Sequence, residues 1–245
     1  MKTAVILGAG RGMRLRSEVR DYPKGFLRLG KKPIVEESIQ RLRASGIEKV
    51  IVVTGYCAEH YQTLAARYSG LVYTVHNPRF AESGSGYSLY CARAETTGPF
   101  LLLESDLIYE PRAIEVLINH PAQDAILLSG PTRAGDEVFV EARKGTLASM
   151  SKNRSELGNV SGELVGISKI SSALFSIMNE WARDRIRHSL MIDYETDVLV
   201  AAAQRRPIAC PRVDNLLWAE IDDVNHLARA RELIYPALGE TGVSD

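Results

Sequence analysis

A glycine-rich turn near the start of the chain is the first stretch whose residue types could do chemistry. It reads Gly8-Ala9-Gly10-Arg11-Gly12 and follows the short apolar strand pattern TAVILG. Glycine turns at the carboxyl edge of a parallel sheet let backbone N–H groups come close to phosphate oxygens. Taken alone, the turn is also compatible with a tight bend that binds nothing.

Two widespread phosphate-binding loops do not match this turn. The dinucleotide fingerprint G-x-G-x-x-G needs glycine at Met13, and its ribose-binding acid would follow the second strand, where the chain has Thr54-Gly55-Tyr56. A P-loop needs G-K-[ST], which the sequence does not contain. The sequence therefore disfavours both a dinucleotide-binding oxidoreductase and a P-loop enzyme.

Basic side chains cluster just after the turn. Between residues 11 and 32 there are eight of them against two acids, although 30 basic and 30 acidic residues leave the whole chain without net charge. A local excess in a neutral chain indicates a compact polyanion such as a nucleoside triphosphate, not a nucleic acid or a membrane surface. We interpret Arg14 and Lys24 as phosphate ligands. Four of the other six are interpreted as a solvated face: Arg16, Arg20, Lys31 and Lys32.

Alternating strand and helix patterns must position these residues. The strand patterns TAVILG, KVIVVTGY, LVYTV, PFLLLESD and DAILLSG are separated by amphipathic segments, the first of which follows Pro33. This alternation predicts an α/β fold, a single Rossmann-like domain with a mostly parallel sheet covered on both faces. After residue 135 the segments DEVFVEA, TLASMS and GELVGISKI predict a small β extension, followed by helices near 171–183, 194–203 and 222–234.

Cysteine usage and hydropathy indicate the compartment. Cys57, Cys91 and Cys210 are odd in number and lack metal-ligand spacing, which favours reduced thiols in a cytoplasmic protein. The first apolar run spans about six residues, which is too short for a secretory signal or a membrane span. We therefore expect a soluble cytoplasmic protein without a membrane partner.

The ordered motifs resemble a known family. LGAGRGMRL followed by YPKGFL resembles the signature A-A-G-x-G-x-R-[LFM] and then P-K of sugar-phosphate and alcohol-phosphate nucleotidyltransferases, with Gly8 in place of the first alanine. The segments GSGYSLYCA, LLLESDLIYE, MSKNRSELGNVSGELVGISKIS, DYETD and LWAEIDDVNHLARA are similar to cytidylyltransferases that act on small phosphonates such as 2-aminoethylphosphonate. The chain is also similar to phosphocholine and inositol-phosphate cytidylyltransferases. A sugar-1-phosphate nucleotidyltransferase is the nearest alternative assignment.

The resemblance implies a reaction and a division of the chain. CTP and a small phosphonate or phosphomonoester would react with Mg²⁺, and a homodimer is possible. Within one nucleotidyltransferase domain over residues 1–245, we expect a nucleotide-binding core at 1–135, an acceptor-binding part at 136–220 and a C-terminal helix at 221–237. A phosphonate is already ionised at neutral pH, so neither a covalent nucleophile nor a general base is required.

The resemblance also assigns roles to residues. Arg14, Lys24 and Lys152 are the catalytic candidates, with Lys152 against the acceptor's anionic group or, equally, a plain turn lysine. Asp106 and Asp222 match the magnesium carboxylates, although Asp222 could instead cap the last helix unless Asp223 does so. The nucleotide-binding candidates are Leu7, Gly8, Ala9, Gly10, Arg11, Gly12, Gly84, Ser85, Ser88 and Asp106.

The residues that recognise the base and the acceptor are the ones that the sequence constrains least. Small residues around Ser85 would let a flat ring approach closely, and the hydroxyl of Ser85 or Ser88 could bond a pyrimidine edge. A primary ammonium on the acceptor needs a carboxylate, whereas a quaternary one would prefer aromatic faces. Both kinds of side chain are available: Asp136, Glu137, Glu195 and Asp197 on one hand, and Tyr109, Tyr194 and Trp218 on the other.

Overall fold

A nine-stranded mixed sheet forms the centre of the molecule in the computed structural model, which describes residues 1–15, 18 and 21–241. The predicted basic residues Arg16 and Arg20 lie outside these ranges. Two further strands, β5 and β11, form a separate two-stranded sheet. In chain order the strands of the two sheets are β1 Thr3–Gly8, β2 Lys49–Thr54, β3 Val72–His76, β4 Phe100–Glu104, β5 Leu107–Tyr109, β6 Ala125–Ser129, β7 Phe139–Arg143, β8 Thr146–Ser151, β9 Gly162–Ile170, β10 Arg212–Val213 and β11 Trp218–Glu220.

The main sheet has the order β10-β6-β9-β4-β1-β2-β3, and the β7–β8 hairpin is attached to β9. β3, β2, β1 and β4 run parallel, whereas β9 is antiparallel to both of its neighbours. This confirms the α/β fold with a mostly parallel mixed sheet. The segment GELVGISKI differs from its expected place, since β9 lies inside the main sheet and only β7 and β8 form the extension. Its nearly continuous burial is typical of a strand covered on both faces.

Helices cover both faces of the sheet. They are α1 Ile34–Ala44, α2 Ala58–Arg67, α3 Ser85–Cys91, α4 Arg112–Asn119, α5 Ser172–Ile186, α6 Val200–Ala203, α7 Val224–Arg229 and α8 Tyr235–Thr241. A π-helical turn, Tyr194–Leu199, leads directly into α6, and a second one, Ala230–Ile234, joins α7 to α8. Among the described residues, no helix is both long and apolar enough to cross a membrane.

Alternate residues of β1 feed two apolar clusters. Val5 and Leu7 pack towards α3, α5 and α6, whereas Ala4 and Ile6 pack towards α1, α2 and α4. This is the period-two pattern of a strand buried on both faces. A third cluster joins α7 and α8 to the segments after β1, with Leu15 and Leu227 among its buried members.

Two strand pairings bring distant acids to one edge of the sheet. In the parallel pair of β1 and β4, Leu7 lies opposite Glu104, so the glycine turn and the end of β4 share the carboxyl edge. The short antiparallel pair of β5 and β11 places Glu220 opposite Leu107. The Ile221 N–H then donates to the Asp106 carbonyl oxygen at 3.1 Å. The last strand of the chain is thereby fixed beside the end of β4.

Gly8 is required by the tyrosine beneath the turn. A Cβ on Gly8 would lie 2.6 Å from the hydroxyl oxygen of Tyr61, a residue that is fully buried. The alanine seen at this position in the resembling signature would therefore overlap Tyr61.

We expect Gly8→Ala to lower the free energy of unfolding by about 1–3 kcal/mol, because overpacking a rigid core forces its neighbours to shift. The penalty should shrink in a Tyr61→Leu background, where the ring is absent, and urea unfolding of the four proteins measures this coupling. Equal penalties in both backgrounds would contradict the overlap.

Candidate functional site: two adjoining cavities

The first cavity opens at the carboxyl edge of β1. It has a volume of about 180 Å³ and brings together many of the predicted nucleotide-binding residues. Pro23, Tyr61, Phe80, Ser83 and Ser105 complete its wall together with two glutamates described below. The predicted residues that line it are Leu7, Gly8, Ala9, Gly10, Lys24, Ser85, Ser88 and Asp106.

Three of the predicted nucleotide residues lie outside this lining. Arg11 is exposed at the rim, and Gly12 has φ of +57°, from which it leads into the single helical turn that carries Arg14. Gly84 donates its N–H to the Leu190 carbonyl oxygen at 2.9 Å, and a Cβ on it would overlap the carbonyl of Ile192. The glycine at 84 thus admits another backbone segment of the protein.

A series of alternating charges begins in the wall of the cavity, at Lys24 and Asp106, and continues beyond its lining. Lys24 is paired with Asp106, and its Nζ lies 2.5 Å from Oδ1 of Asp222. Arg14 contacts Oδ2 of the same Asp222 at 2.7 Å and Oδ2 of Asp136 at 3.1 Å. We call Asp136, Arg14, Asp222, Lys24 and Asp106 the charge series. It joins the turn after β1 to residues more than a hundred positions further along the chain.

Local structure leaves Asp222 available for this series. Asp223 caps α7, because its Oδ1 accepts hydrogen bonds from the N–H groups of Asn225 and His226. Burial would raise the pKa of Asp222, but Lys24 and Arg14 outweigh it and hold that pKa well below its ordinary value. Burial would likewise lower the pKa of Lys24, and the Asp106 and Asp222 carboxylates raise it instead. Each partner therefore keeps the other ionised.

A second cavity adjoins the first and collects the predicted acceptor residues. Asp136, Glu137, Lys152, Tyr194 and Glu195 all line it, together with Asp222 and Trp218. Two other acceptor candidates lie elsewhere. The buried hydroxyl of Tyr109 is hydrogen-bonded to Ser38 at 2.7 Å, and Asp197 accepts from the Asp193 N–H at 2.8 Å. The structure thus separates the acceptor candidates into a group that shares a cavity and a group that does not.

Glu104 and Glu220 form the wall between the two cavities, because both residues line both spaces. One carboxylate oxygen each of Glu104, Asp106 and Glu220 lies within 4.8 Å of the others. Burial raises the pKa of Glu104, and the charges of Glu195 and Asp106 raise it further. Burial also raises the pKa of Glu220, and the charges of Glu104 and Asp106 add to that rise. Within the described part of the chain, neither of the two glutamates in this wall forms an ion pair.

These two glutamates and Arg229, which also lines the second cavity, were not among the residues predicted from the sequence. A signal for the glutamates was present, since Glu104-Ser105-Asp106 and Glu220-Ile221-Asp222 share the spacing E-x-D at the ends of strands. Residues two apart on a strand point to the same side, so each predicted metal aspartate has an acidic neighbour. No comparable pattern marks Arg229, because arginines near the end of a predicted helix are usually solvated.

Lys152 and Arg229 are the cations of the second cavity. Neither forms an ion pair with any of the residues that the structure describes. Two buried donors of the same cavity, the Tyr194 hydroxyl and Trp218 Nε1, also have no hydrogen-bond partner within the described part of the chain. Buried donors are normally satisfied, so the Tyr194 hydroxyl and Trp218 Nε1 indicate a polar ligand. Lys152 is exposed and Arg229 is half-buried, so both cations can be solvated when the cavity is empty.

Replacing Glu195 by Gln should flatten the pH dependence of folding stability. Burial raises the pKa of Glu195 in the folded protein to about 7, from an ordinary value of 4.5. Its stabilising contribution is therefore fully present below about pH 4.5 and is lost as the pH rises through about 7, by at most about 1.4 kcal/mol per pH unit. Urea unfolding at intervals between pH 4 and 8 measures the slope.

The control for this measurement is Glu115→Gln, which alters an exposed glutamate on α4. Its stability should follow the wild-type curve across the same range. A Glu195→Gln curve parallel to the wild type would show that the buried carboxyl is not the source of the slope.

Comparison with known proteins bears on these cavities. The bifunctional IPC transferase and DIPP synthase of Aquifex aeolicus is 22% identical over 234 residues, which cover 96% of this chain and 52% of that protein. The chain thus spans about half the length of that relative. A 2-aminoethylphosphonate cytidylyltransferase of Lancefieldella rimae is 26% identical over 233 residues, covering 92% of this chain and 90% of that one.

A solved structure of similar fold covers the whole chain. The inositol-1-phosphate CTP transferase from T. maritima superposes with a TM-score of 0.81 at 19% identity, covering 100% of this chain and 98% of the other, which shows a shared fold. The family description that fits the sequence is the MobA-like NTP transferase domain, matched over residues 4–196. That range includes the glycine turn, Lys24, both E-x-D residues of β4 and most of the second cavity. The chain therefore belongs to the family of MobA-like NTP transferase domains.

Proposed function

We propose that this protein is a magnesium-dependent cytidylyltransferase that transfers CMP from CTP to a small phosphonate such as 2-aminoethylphosphonate, with release of pyrophosphate. Membership of the nucleotidyltransferase family sets the reaction type. The choice of substrates depends on one observation: Glu104 and Glu220 line both a glycine-lined cavity and a neighbouring cavity that holds cations and carboxylates. Relatives that act on CTP and on aminoalkyl phosphonates support the choice of substrates.

The charge series supports binding of a triphosphate in the first cavity. The glycine turn offers backbone N–H groups at its mouth, and Lys24 and Arg14 supply two positive charges beside it. These cations would bind the β- and γ-phosphates and offset the charge that builds up on the departing pyrophosphate.

The acceptor cavity favours an ammonium-bearing anion. Glu195 with Glu104 and Glu220 would meet a primary ammonium, whose three N–H donors match carboxylate oxygens. Lys152 and Arg229 would meet the phosphonate. An ammonium would favour the charged form of these carboxyls, and the hydroxyl groups of inositol phosphate carry no charge to do so, which disfavours inositol phosphate. Phosphocholine remains the second candidate, because Tyr194 and Trp218 lie in the same cavity and could face a quaternary ammonium.

The chemistry follows from this arrangement. A phosphonate oxygen attacks the α-phosphorus of CTP, the new P–O bond forms, and the bond to the β-phosphate oxygen breaks as pyrophosphate leaves. The acceptor is ionised before it binds, so the chain has no proton to remove. What the residues supply is alignment of the two substrates across the shared wall, and charge compensation from Lys24 and Arg14.

The donor set suits magnesium. Asp106 and Asp222 converge on a single cation, the Lys24 ammonium, and carboxylate oxygens are the ligands that Mg²⁺ prefers. Asp106 and Asp222 would hold the ion, with Glu104 and Glu220 next to them. Bound there, Mg²⁺ would neutralise phosphate oxygens at the reacting centre. Lys24, which contacts both aspartates, would supply positive charge beside the ion.

The proposal is tested by a substrate panel. CTP, UTP, ATP and GTP are paired with 2-aminoethylphosphonate, phosphocholine, inositol phosphate and glucose 1-phosphate, and pyrophosphate is measured. We expect CTP with 2-aminoethylphosphonate to give the highest kcat/KM. Asp106→Asn should lower turnover by about 10²–10³-fold, since it removes charge at the reacting centre. A clear preference for another pair, or near wild-type turnover in that variant, would refute the assignment.

The ion site has a test that does not need turnover. Lys24→Met removes the cation between Asp106 and Asp222, and breaking a buried pair of this kind costs about 3–5 kcal/mol of stability. Mg²⁺ should then raise the melting temperature of Lys24→Met more than that of the wild type, because the ion can sit between the two freed carboxylates. Melting curves with and without MgCl₂ measure the difference.

Lys31→Met is the matched control, because Lys31 is an exposed lysine on the same stretch of chain. Its response to Mg²⁺ should equal the wild-type response. If Mg²⁺ shifts all three melting temperatures equally, Asp106 and Asp222 do not share an ion.

A further inference from the structure

Ser85 lies where the first cavity meets the segment that leads into the second. It is the first residue of α3 and lines the first cavity. Its hydroxyl oxygen accepts a hydrogen bond from the Tyr194 N–H at 3.0 Å. The same oxygen lies 3.4 Å from Oδ1 of Asp193 and 3.4 Å from Oε2 of Glu195, so its single proton can be donated to either carboxylate.

Main-chain contacts on both sides of Ser85 strengthen this junction. The Gly84 N–H donates to the Leu190 carbonyl oxygen at 2.9 Å, and the Gly86 N–H donates to the Ile192 carbonyl oxygen at 2.8 Å. A Cβ on Gly86 would lie 2.9 Å from that same Ile192 oxygen. The glycines on either side of Ser85 therefore allow the loop 190–192 to lie directly against the loop that borders the first cavity.

The neighbouring serine makes different contacts. Ser88 also lines the first cavity, but its hydroxyl accepts from Asn77 Nδ2 at 3.0 Å and reaches the Gly84 carbonyl oxygen at 3.5 Å. Its contacts stay within the loop and β3's end, whereas those of Ser85 cross to residues 193–195. The two hydroxyls thus have separable roles within one short helix.

We propose that Ser85 is a positioning residue that couples the two substrate sites, by fixing Tyr194 and Glu195 against the loop that borders the nucleotide. This inference rests on the proposed function. Tyr194 and Glu195 line the acceptor cavity at the start of the π-helical turn, and side chains that select a substrate need a fixed backbone. A nucleotide that orders the 83–88 loop orders residues 190–195 as well, so CTP strengthens acceptor binding.

Steady-state kinetics of Ser85→Ala and Ser88→Ala tests the coupling. At saturating CTP, Ser85→Ala should raise the KM for the acceptor about tenfold, as expected for the loss of one or two hydrogen bonds. The dissociation constant of CTP measured without acceptor should change less than twofold, because the coupling is reciprocal and acts only when both substrates are bound. Ser88→Ala should raise the KM for CTP more than it raises the KM for the acceptor. Ser85→Thr keeps the hydroxyl and should recover most of the acceptor affinity. A loss of CTP affinity in Ser85→Ala that, without acceptor, equals or exceeds the acceptor effect overturns the proposal, and so does a Thr variant as poor as the Ala variant.

Hydrogen exchange gives a readout that does not depend on turnover. The nucleotide of the panel that binds most tightly should slow amide exchange across residues 190–196 in the wild type and in Ser88→Ala, but much less in Ser85→Ala. If the wild type binds nucleotide and exchange across 190–196 does not change, the coupling is wrong whatever the substrate panel shows. If the coupling is seen but no pair releases pyrophosphate, the proposed function is what fails.

Discussion

The structure depends on one buried cation shared by two carboxylates. Lys24 sits between Asp106 and Asp222, and despite burial it holds the pKa of Asp222, together with Arg14, well below its ordinary value. The three residues come from the segment after β1, the end of β4 and the end of β11, so a single ammonium group joins the first, middle and last parts of the chain. The two cavities owe their common border to this contact, because Glu104 and Glu220 stand two residues before the paired aspartates.

Much of this arrangement follows from local sequence. The β-branched runs, the proline before α1 and the glycine turn predict the parallel half of the sheet, and the E-x-D endings of two strands predict acidic groups at its carboxyl edge. The role of β9 was not predictable, because a nine-residue apolar run says that a strand is buried but not between which neighbours. Its antiparallel entry between β4 and β6 is decided by tertiary packing.

Some residues of the candidate site, like parts of the fold, could be predicted from the sequence and others could not. Residue type and resemblance were enough to single out Lys24, Asp106, Asp222 and Glu195, and the structure brings them to adjoining cavities. The contacts of Gly84 could not be inferred, since a small residue near a ligand cavity looks the same in sequence whether a ring or a neighbouring backbone fills the space beside it. Arg229 was hidden for a related reason: an arginine in a helix end is usually solvated, and only the path of α7 brings it to the second cavity.

The pairing of β5 with β11 has a consequence for how the protein matures. These strands are separated by about a hundred residues, yet their contact supplies Glu220 and Asp222 to the edge of the sheet. The parallel strands β1 to β4 are therefore complete in a nascent polypeptide before Glu220 and Asp222, which line the second cavity, have been synthesised. The second cavity can take its final form only late in translation, when residues 218–222 are available to pair with β5.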